Sequence, residues 1–328
     1  MTDQPQNDDY YWNSYSSFHI HEEMLNDSIR TKSYMKWCYR NKDLFKDKVV
    51  LDVGCGTGIL SLFCAKAGAR KVYAVDASGI VHTARRIVAL NNMSEIIEVI
   101  EGKIEDIYIP EQADIIISEW MGYCLYYESM LTSVLIARDR FLKEGGIMAP
   151  NLTVMKICGI EDAEFKEDKL DFWHNVYGFD FSIMKDQVKL EPLVDYAPGD
   201  SIVTDFCTID ECDIDKVKIE ESGRFCSPFT ITAQRDDVVH ALVVHFDVGF
   251  THGHSLWFST GPDCPPTHWK QTVFYLDQDV VIYEGEQITG TVELYPNAHN
   301  PRELDIKLHY KYEGRGQAVD KNQFFRLQ

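Results

Sequence analysis

The sequence predicts an α/β domain built on a parallel, doubly wound sheet, followed by an all-β domain. Its 328 residues favour two domains, at about 150 residues each. Between Val49 and Pro150 short apolar runs alternate with helical stretches, which is typical of a parallel sheet covered by helices. After Pro150 the chain changes to strand-like runs separated by turn residues, which is typical of a sandwich or barrel.

The spacing of apolar residues predicts the individual elements. Residues 1–9 are polar and acidic and are predicted to be a disordered tail, whereas Phe18 to Asp43 has helical spacing. In the first domain we expect helices at Leu60–Ala67 and His82–Asn91 and strands at Val49–Val53, Val72–Val75, Ile96–Ile100 and Asp114–Ser118. In the second half we expect strands at Phe229–Ala233, Val238–Phe250, Thr272–Leu276, Ile288–Leu294 and Leu304–Tyr312.

One segment of the second half departs from the strand pattern. Residues 163–180 are charged and helical, and they end in the aromatic side chains of Phe172, Trp173, Tyr177 and Phe179. Exposed aromatic side chains on such an excursion would form an interface arm. The same side chains could instead pack onto the chain's own β domain, and the pattern alone does not separate these two interpretations.

The charge of the chain limits its partners. Lys and Arg number 32 against 52 Asp and Glu, which gives a net charge of −20. Such an acidic surface repels a phosphate backbone, so we expect no direct nucleic-acid binding. It would attract basic peptides or tails. The alternative interpretation is that the acidity only keeps the protein soluble.

The cysteine pattern and the apolar runs favour a soluble intracellular protein. The chain has nine cysteines and no CxxC pair, and its closest spacing, Cys207 to Cys212, does not suit a zinc ribbon. We therefore expect no metal site and a reducing compartment. The first residues are too polar for a signal peptide, and no run approaches the ~18 apolar residues of a membrane span.

A glycine turn follows the first predicted strand. The strand Val49–Val53 contains Asp52 and leads into Gly54, Gly56 and Gly58, a GxGxG spacing rather than the GxGxxG of dinucleotide sites. An acid before such a turn suits a ligand with an ammonium or sulfonium charge. Asp76 ends the next strand, 18 residues after Gly58, where a carboxylate can accept both hydroxyls of a ribose. The combination predicts an S-adenosylmethionine site, and the alternative is an ordinary glycine-rich turn.

Two glutamates follow the fourth predicted strand. Glu119 stands at its carboxyl end, the edge of an open α/β sheet where ligands bind, and Glu128 follows nine residues later in an aromatic stretch. Two carboxylates in such a place are costly to bury unless a cation neutralises them. A guanidinium offers five donors in a planar fork and would satisfy both. Alternatively, Glu119 caps the next segment and Glu128 lies on a solvated face.

With these motifs the chain resembles the type I protein arginine methyltransferases over nearly its whole length, from about Tyr10. Residues 118–123 and 128–130 are similar to the double-glutamate loop of that family, and residues 267–272 to its THW loop. Residues 21–25 are similar to the N-terminal helix that folds over the cofactor, and residues 11–15 to the YFxSY motif, with Trp12 in place of Phe.

The family fold implies the domain organisation of the chain. We expect a Rossmann-like methyltransferase domain followed by a β-barrel domain with an inserted helical dimerisation arm. The implied boundaries are N-terminal helices over the cofactor at 10–43, the S-adenosylmethionine domain at 44–150, and the barrel at 151–328 with its arm at about 163–195. The arm implies a head-to-tail homodimer.

The resemblance also implies roles for single residues. Arg30 would pair with the methionine carboxylate of the cofactor, with His21 nearby, and the turn around Gly54 would line the amino-acid end. Asp76, where most relatives have Glu, would hold the ribose, and Glu105 would lie near the adenine. Glu119 and Glu128 would grip the substrate guanidinium, while His268 and Asp27 would form a pair that orients the site or removes the proton. The acceptor pocket would be formed by Tyr15, Met24, Met130 and Trp269.

The implied activity is methyl transfer from S-adenosylmethionine to protein arginine, giving mono- and asymmetric dimethylarginine. The acidic surface suits RGG-rich RNA-binding proteins and histone tails as substrates, and those substrates imply a nuclear and cytoplasmic location. Two other interpretations stay open: a methyltransferase that acts on another substrate, and an inactive dimeric binding scaffold.

Overall fold

The computed structural model describes residues 15–315 and 317–328, apart from the side chain of Asp186. The predicted tail at 1–9 and the residues 11–14 of the YFxSY-like motif lie outside this part of the chain. The described residues begin with three helices, α1 (Phe18–Asn26), α2 (Ser28–Arg40) and α3 (Lys42–Phe45). The predicted helical stretch is divided at Asp27, whose extended backbone ends α1 and whose carboxylate caps α2 by accepting from the N–H groups of Ile29 and Arg30.

The first domain is the predicted parallel sheet. Its strands are β1 (Val49–Val53), β2 (Lys71–Asp76), β3 (Ile97–Glu101), β4 (Ala113–Ser118) and β5 (Leu142–Ala149). Helices α4 (Ile59–Ala67), α5 (Val81–Leu90) and α6 (Met130–Phe141) connect them. All neighbours pair in parallel in the order β3-β2-β1-β4-β5, so the order reverses between β1 and β4. Open α/β sheets bind ligands in the crevice at such a reversal.

The second domain consists of two antiparallel sheets that share one apolar core. The strands are β6 (Leu152–Ile160), β7 (Leu193–Asp195), β8 (Cys207–Asp213), β9 (Phe225–Thr232), β10 (Asp237–Phe250), β11 (Leu256–Ser259), β12 (Gln271–Ile282), β13 (Gln287–Pro296), β14 (Leu304–Glu313) and β15 (Ala318–Leu327). The first sheet has the order β7-β12-β10-β6-β8 with β11 beside β10, and the second has the order β15-β14-β13-β9. Phe274 of the first sheet packs edge-on against Phe325 of the second, with ring centroids 4.9 Å apart. The predicted fold class is confirmed.

Strands β5, β6, β7, β8, β11 and β15 were not predicted, whereas every other strand of the described residues overlaps a predicted run. In β8 and β15, polar side chains separate the few apolar ones that face the core, such as Ile209 and Cys212 in β8. Both strands lie at sheet edges, where one side of the strand meets solvent. The continuous apolar run of Val238–Phe250 belongs to a strand that is buried on both faces, which is why that strand was predicted over almost its whole length.

The segment between β6 and β7 projects from the barrel. It contains α7 (Ala163–Asp171), two single 3₁₀ turns and α8 (Lys185–Val188). Phe165 stacks on Tyr275 of β12, with ring centroids 5.7 Å apart, so the base of the segment packs on the chain's own barrel. Beyond that base Phe172, Phe179 and Tyr177 are exposed, and Tyr177 keeps 96% of its surface. These three side chains therefore do not pack onto the chain's own β domain, and their role in an interface stays a prediction.

Helix α2 joins the two domains. Trp37 stacks on Phe250 at the end of β10, with ring centroids 5.2 Å apart, and its Nε1–H donates to the carbonyl of His252 at 3.1 Å. Tyr34 packs edge-on against the same Phe250 and donates to the carbonyl of Ser118, the last residue of β4, at 2.9 Å. The helix thus fixes the end of the parallel sheet relative to the barrel.

The described residues bear on three features that the sequence predicted to be absent. All nine cysteines lie within them and none forms a disulfide. No group of three or more His, Cys, Asp or Glu side chains within 15–315 and 317–328 could hold a metal ion. Among the helices of that same part, none has the length and apolarity needed to cross a bilayer.

Candidate active site

An open cavity of about 1170 Å³ lies at the carboxyl ends of β1, β2 and β4. It is bounded by the glycine turn after β1, the loop after β4, helix α1 and one loop from each sheet of the second domain. Twelve of the sixteen residues predicted for the site line this cavity: Tyr15, His21, Met24, Arg30, Gly54, Gly56, Asp76, Glu105, Glu119, Glu128, Met130 and His268. The other four, Asp27, Asp52, Gly58 and Trp269, do not.

The glycine turn brings main-chain atoms to the cavity wall. Gly54, Gly56 and Gly58 have φ values of +72°, +53° and +86°, a left-handed conformation that favours glycine. A Cβ on Gly54 would stand 2.3 Å from Met130 Cε, and one on Gly56 would stand 3.2 Å from His21 Cε1. Gly58 faces away from the cavity and starts α4, so it serves the turn and does not line the site.

The carboxylate of Asp76 is held at the end of β2. Its Oδ2 accepts from the N–H of Gly56 at 2.9 Å, and its Oδ1 accepts from the N–H and the hydroxyl of Ser78 at 2.8 and 2.7 Å. A carboxylate has roughly four acceptor positions, so three donors leave capacity for a further hydroxyl. The geometry fixes the orientation of Asp76 on the cavity wall.

The prediction that Asp52 faces a positively charged ligand is wrong. Asp52 is fully buried behind the turn, and its Oδ2 accepts from the hydroxyl of Ser61 in α4 at 2.6 Å. Successive side chains of a strand point to opposite faces, and this position faces the helix rather than the crevice. Burial raises the pKa of Asp52 to about 7. Its role is to join β1 to α4 beneath the turn.

Glu119 is paired with Arg30. The guanidinium places Nε 2.8 Å and Nη2 2.7 Å from Glu119 Oε2, and both side chains are almost completely buried. Arg30 also donates through Nη1 to the carbonyl of Met24 at 3.3 Å. The pair connects helix α2 to the end of β4, so the predicted cofactor ligand Arg30 and the predicted catalytic Glu119 form one unit.

Glu128 is held in a loop with an unusual backbone. Glu128 and Ser129 have φ values of +74° and +57°, which non-glycine residues rarely adopt. Tyr15 donates its hydroxyl to Glu128 Oε2 at 2.6 Å, which brings the last residue of the YFxSY-like motif onto the second glutamate. Both glutamates therefore line one cavity beside the glycine turn.

His268 and Asp27 form the predicted pair. His268 Nδ1 lies 2.7 Å from Asp27 Oδ2, which also accepts from the main-chain N–H of His268 at 2.9 Å. Burial raises the pKa of Asp27, but the hydrogen bonds from His268 and from the N–H of Arg30 outweigh it, so the pKa lies below its ordinary value. An ionised carboxylate only accepts, so the proton of a neutral His268 lies on Nδ1. Asp27 lies behind the wall of the cavity and orients His268, which lines it.

The prediction that Trp269 lines the acceptor pocket is wrong. Its side chain is buried, stacks on Phe258 with ring centroids 5.8 Å apart, and donates to the carbonyl of Met121 at 2.7 Å. A large aromatic ring with one polar atom is most stable in a core where that atom finds an acceptor. Trp269 supports the loop after β4, and Met121 is the residue that reaches the cavity.

Sequence reasoning missed several residues of the cavity wall. Trp120 and Met121 belong to the double-glutamate loop and could have been found from their neighbours. Lys103 follows β3 and Ser133 lies near the start of α6, and no sequence motif marks either residue. Arg302 lies 174 residues from Glu128, whose carbonyl its Nη1 contacts at 2.9 Å, and no local pattern reveals such a contact.

Both halves of the chain are similar to known protein families. Residues 152–315 match the family described as the arginine methyltransferase oligomerization subdomain, and residues 31–149 match the family of the ribosomal protein L11 methyltransferase. The chain is 51% identical over 329 residues to protein arginine N-methyltransferase 1.1 of Arabidopsis thaliana, covering 100% of this chain and 84% of that protein. It is 51% identical over 309 residues to protein arginine N-methyltransferase 1 of Schizosaccharomyces pombe, covering 94% of this chain and 91% of that protein.

Solved structures give the same result. The chain is similar to the Trypanosoma brucei PRMT1 enzyme–prozyme heterotetrameric complex with AdoHcy, with a TM-score of 0.94 and 48% identity over 96% of this chain and 100% of that one. It is also similar to protein arginine methyltransferase 10 of Arabidopsis thaliana, with a TM-score of 0.89 and 30% identity. That match covers 97% of this chain and 100% of the other.

Proposed function

This chain belongs to the type I protein arginine methyltransferases, and we propose that its substrates are arginines of RGG-rich proteins and histone-like tails. It is an enzyme that uses S-adenosylmethionine to methylate protein arginine. The proposed products are monomethylarginine and asymmetric dimethylarginine. The observation that carries the proposal is the position of Glu119 and Glu128 on the wall of one cavity, beside the glycine turn.

The residues of the cavity fit the cofactor. Gly54 and Gly56 present main-chain atoms on the cavity wall, which gives the amino-acid end a place against the turn. The fixed carboxylate of Asp76 has capacity for a ribose hydroxyl, and Glu105 lies on the wall where the adenine is expected. Arg30 and His21 also line the cavity, and Arg30 carries the positive charge that would pair with the carboxylate of the cofactor.

The two glutamates have a defined role in the proposed mechanism. Arginine is always protonated in proteins, so its nitrogens are poor nucleophiles. Glu119 and Glu128 accept hydrogen bonds from the substrate guanidinium and draw its positive charge toward the nitrogens that they contact. The remaining terminal nitrogen regains lone-pair character. The cofactor supplies an activated methyl group on a sulfonium, so the main contribution of the protein is to position the two reactants.

The other residues of the wall control orientation and the number of transfers. Tyr15 fixes the carboxylate of Glu128 through its hydroxyl. His268, oriented by Asp27, is positioned to take part in removing the proton that the methylated nitrogen loses. Met24 and Met130 line the cavity with flexible apolar side chains, which would let one nitrogen re-enter and receive a second methyl group.

The charge of the protein supports the proposed substrates. A net charge of −20 attracts cationic segments and raises their rate of encounter with the site. RGG-rich segments and histone tails are cationic, flexible and able to reach into an open cavity. Because such proteins occur in both compartments, we propose a location in nucleus and cytoplasm, which imaging of a fluorescent fusion would test.

A single experiment tests this function. The protein is incubated with S-adenosylmethionine and an RGG-rich peptide, and the modified residues are identified by fragmentation mass spectrometry. We expect monomethylarginine followed by asymmetric dimethylarginine, and no modification of a control peptide in which every arginine is lysine. Symmetric dimethylation would contradict the proposed product. An unmodified arginine peptide would favour another substrate or an inactive scaffold.

Replacing Gly54 by Ala should weaken cofactor binding by about tenfold or more, because the new Cβ would meet Met130 and the backbone has φ +72°. Isothermal titration with S-adenosylhomocysteine measures the affinity. Gly145→Ala is the matched control, since Gly145 has φ +73° and open space around its Cα. Equal affinity in the two variants would show that the turn does not approach the cofactor.

The second domain supports oligomerisation of the chain, and we assign the contact to the projecting arm. Tyr177→Glu and Phe179→Glu should each convert a dimer to a monomer in sedimentation velocity, because they place a charge in an apolar interface. Val281→Glu, at an exposed strand position outside the arm, is the control and should leave the dimer intact. A dimer that persists in both arm variants would contradict the assignment.

A further inference from the structure

The main chain around Glu128 needs support from outside its own loop. Cys124, Leu125, Glu128 and Ser129 all have positive φ values, between +49° and +74°. Non-glycine residues in this region persist only where surrounding structure over-determines them. The direction of the Glu128 carboxylate therefore depends on whatever holds this backbone.

Arg302 contacts the backbone of Glu128 from two sides. The N–H of Glu128 donates to the carbonyl of Arg302 at 2.8 Å, and Arg302 Nη1 donates to the carbonyl of Glu128 at 2.9 Å. The neighbouring Ser129 donates its hydroxyl to the carbonyl of Pro301. The two adjacent residues with the left-handed backbone are thus both bound to the loop between β13 and β14, in the second antiparallel sheet.

The loop that carries Arg302 is itself well ordered by hydrogen bonds. Asn297 is buried, accepts from the N–H groups of His299 and Asn300 at 2.8 and 3.0 Å, and donates to Asp305 Oδ2 at 2.9 Å. Asn300 in turn donates to Glu303 Oε1 at 2.8 Å. The loop is therefore a rigid support, and Arg302 at its tip reaches the cavity wall.

We propose that Arg302 is a positioning residue for arginine methylation, which holds the main chain of Glu128 so that its carboxylate faces the substrate. The inference rests on the proposed role of Glu128. It makes the second antiparallel sheet part of the acceptor site, although that sheet supplies no carboxylate to it. A guanidinium suits this task because it keeps its charge and its planar donors at every physiological pH.

The test compares three single variants. Arg302→Met should lower kcat/KM for an RGG-rich peptide by about 10- to 100-fold, since small displacements of a reacting group have effects of that size. Arg302→Lys keeps one cationic donor and should recover part of the loss. Arg138→Met is the matched control, because Arg138 also donates to main-chain carbonyls, those of Ile214 and Val217 at 2.7 and 2.8 Å, away from the cavity. It should reduce thermal stability and leave the kinetics unchanged.

A double-mutant cycle separates positioning from general stability. If Arg302 acts through Glu128, Arg302→Met should cause no further loss of kcat/KM for the peptide in a Glu128→Gln background. Binding of S-adenosylhomocysteine should stay the same in every variant. Two results would overturn the role of Arg302. One is that Arg302→Met lowers kcat/KM by the same factor with and without Glu128→Gln, and the other is that Arg302→Met has the same kinetics as the unaltered protein. Failure of the unaltered protein to methylate the peptide would instead overturn the proposed function.

Discussion

Glu128→Gln should lower kcat/KM for arginine methylation by about 10²- to 10³-fold and leave cofactor affinity unchanged. The size of the effect is that expected when one preorganised electrostatic partner of a transition state is removed. Glutamine keeps the shape of the side chain and an oxygen that can accept from Tyr15, so the loss reports the negative charge. Without that charge, the guanidinium keeps its positive charge spread over all three nitrogens and the attacking nitrogen has no lone pair.

Initial rates with an RGG-rich peptide measure this effect, and titration with S-adenosylhomocysteine measures cofactor affinity. Glu144→Gln, at an exposed position in β5, is the control for a change of one charge unit in an acidic protein. We expect its rates to match those of the unaltered protein. Near-normal turnover of Glu128→Gln with intact cofactor binding would show that the carboxylate does not grip the substrate.

Arg30→Met should destabilise the fold by about 3–5 kcal/mol and abolish turnover, because it leaves the carboxylate of Glu119 buried without its cation. The pair is almost completely buried and joins α2 to β4. Removing both charges in the double variant Arg30→Met with Glu119→Gln should restore most of the stability, since neither charge is then left uncompensated. It should not restore activity, because both side chains line the cavity.

Urea denaturation measures the free energy of unfolding in each variant. Arg70→Met is the matched control, because Arg70 pairs with Glu111 at 2.7 Å in an exposed position where solvent screens the charges. We expect that variant to unfold close to the unaltered protein. If Arg30→Met unfolds at the same urea concentration as Arg70→Met, the buried pair does not stabilise the fold in the way described.

The sequence predicted the apolar strands inside the sheets better than the strands at the sheet edges. Buried strands such as Val238–Phe250 are apolar on both faces and leave a continuous signal. Edge strands such as Cys207–Asp213 carry polar side chains toward solvent and resemble loops. N-terminal helices were predicted, but the boundary between two of them at Asp27 was not located, because a capping carboxylate in a helical stretch looks the same in sequence as an exposed one.

For the site, the sequence by itself determined which chemical groups are available: glycines with the turn spacing, a carboxylate after β2, and two glutamates after β4. These are local features, because the ends of parallel strands bring neighbouring segments to one edge of the sheet. Motif resemblance extended this to Arg30 and to the pair of His268 and Asp27.

Only the tertiary structure decided which way each group faces and what holds it there. Asp52 and Trp269 have the expected positions in the chain but face a helix and a core, whereas Arg302 reaches Glu128 from a distant loop. The physical reason is that the direction of a side chain depends on backbone angles and on packing partners far away in sequence. Residue types and their spacing therefore show which chemical groups the site contains, whereas contacts between the domains decide how those groups are oriented.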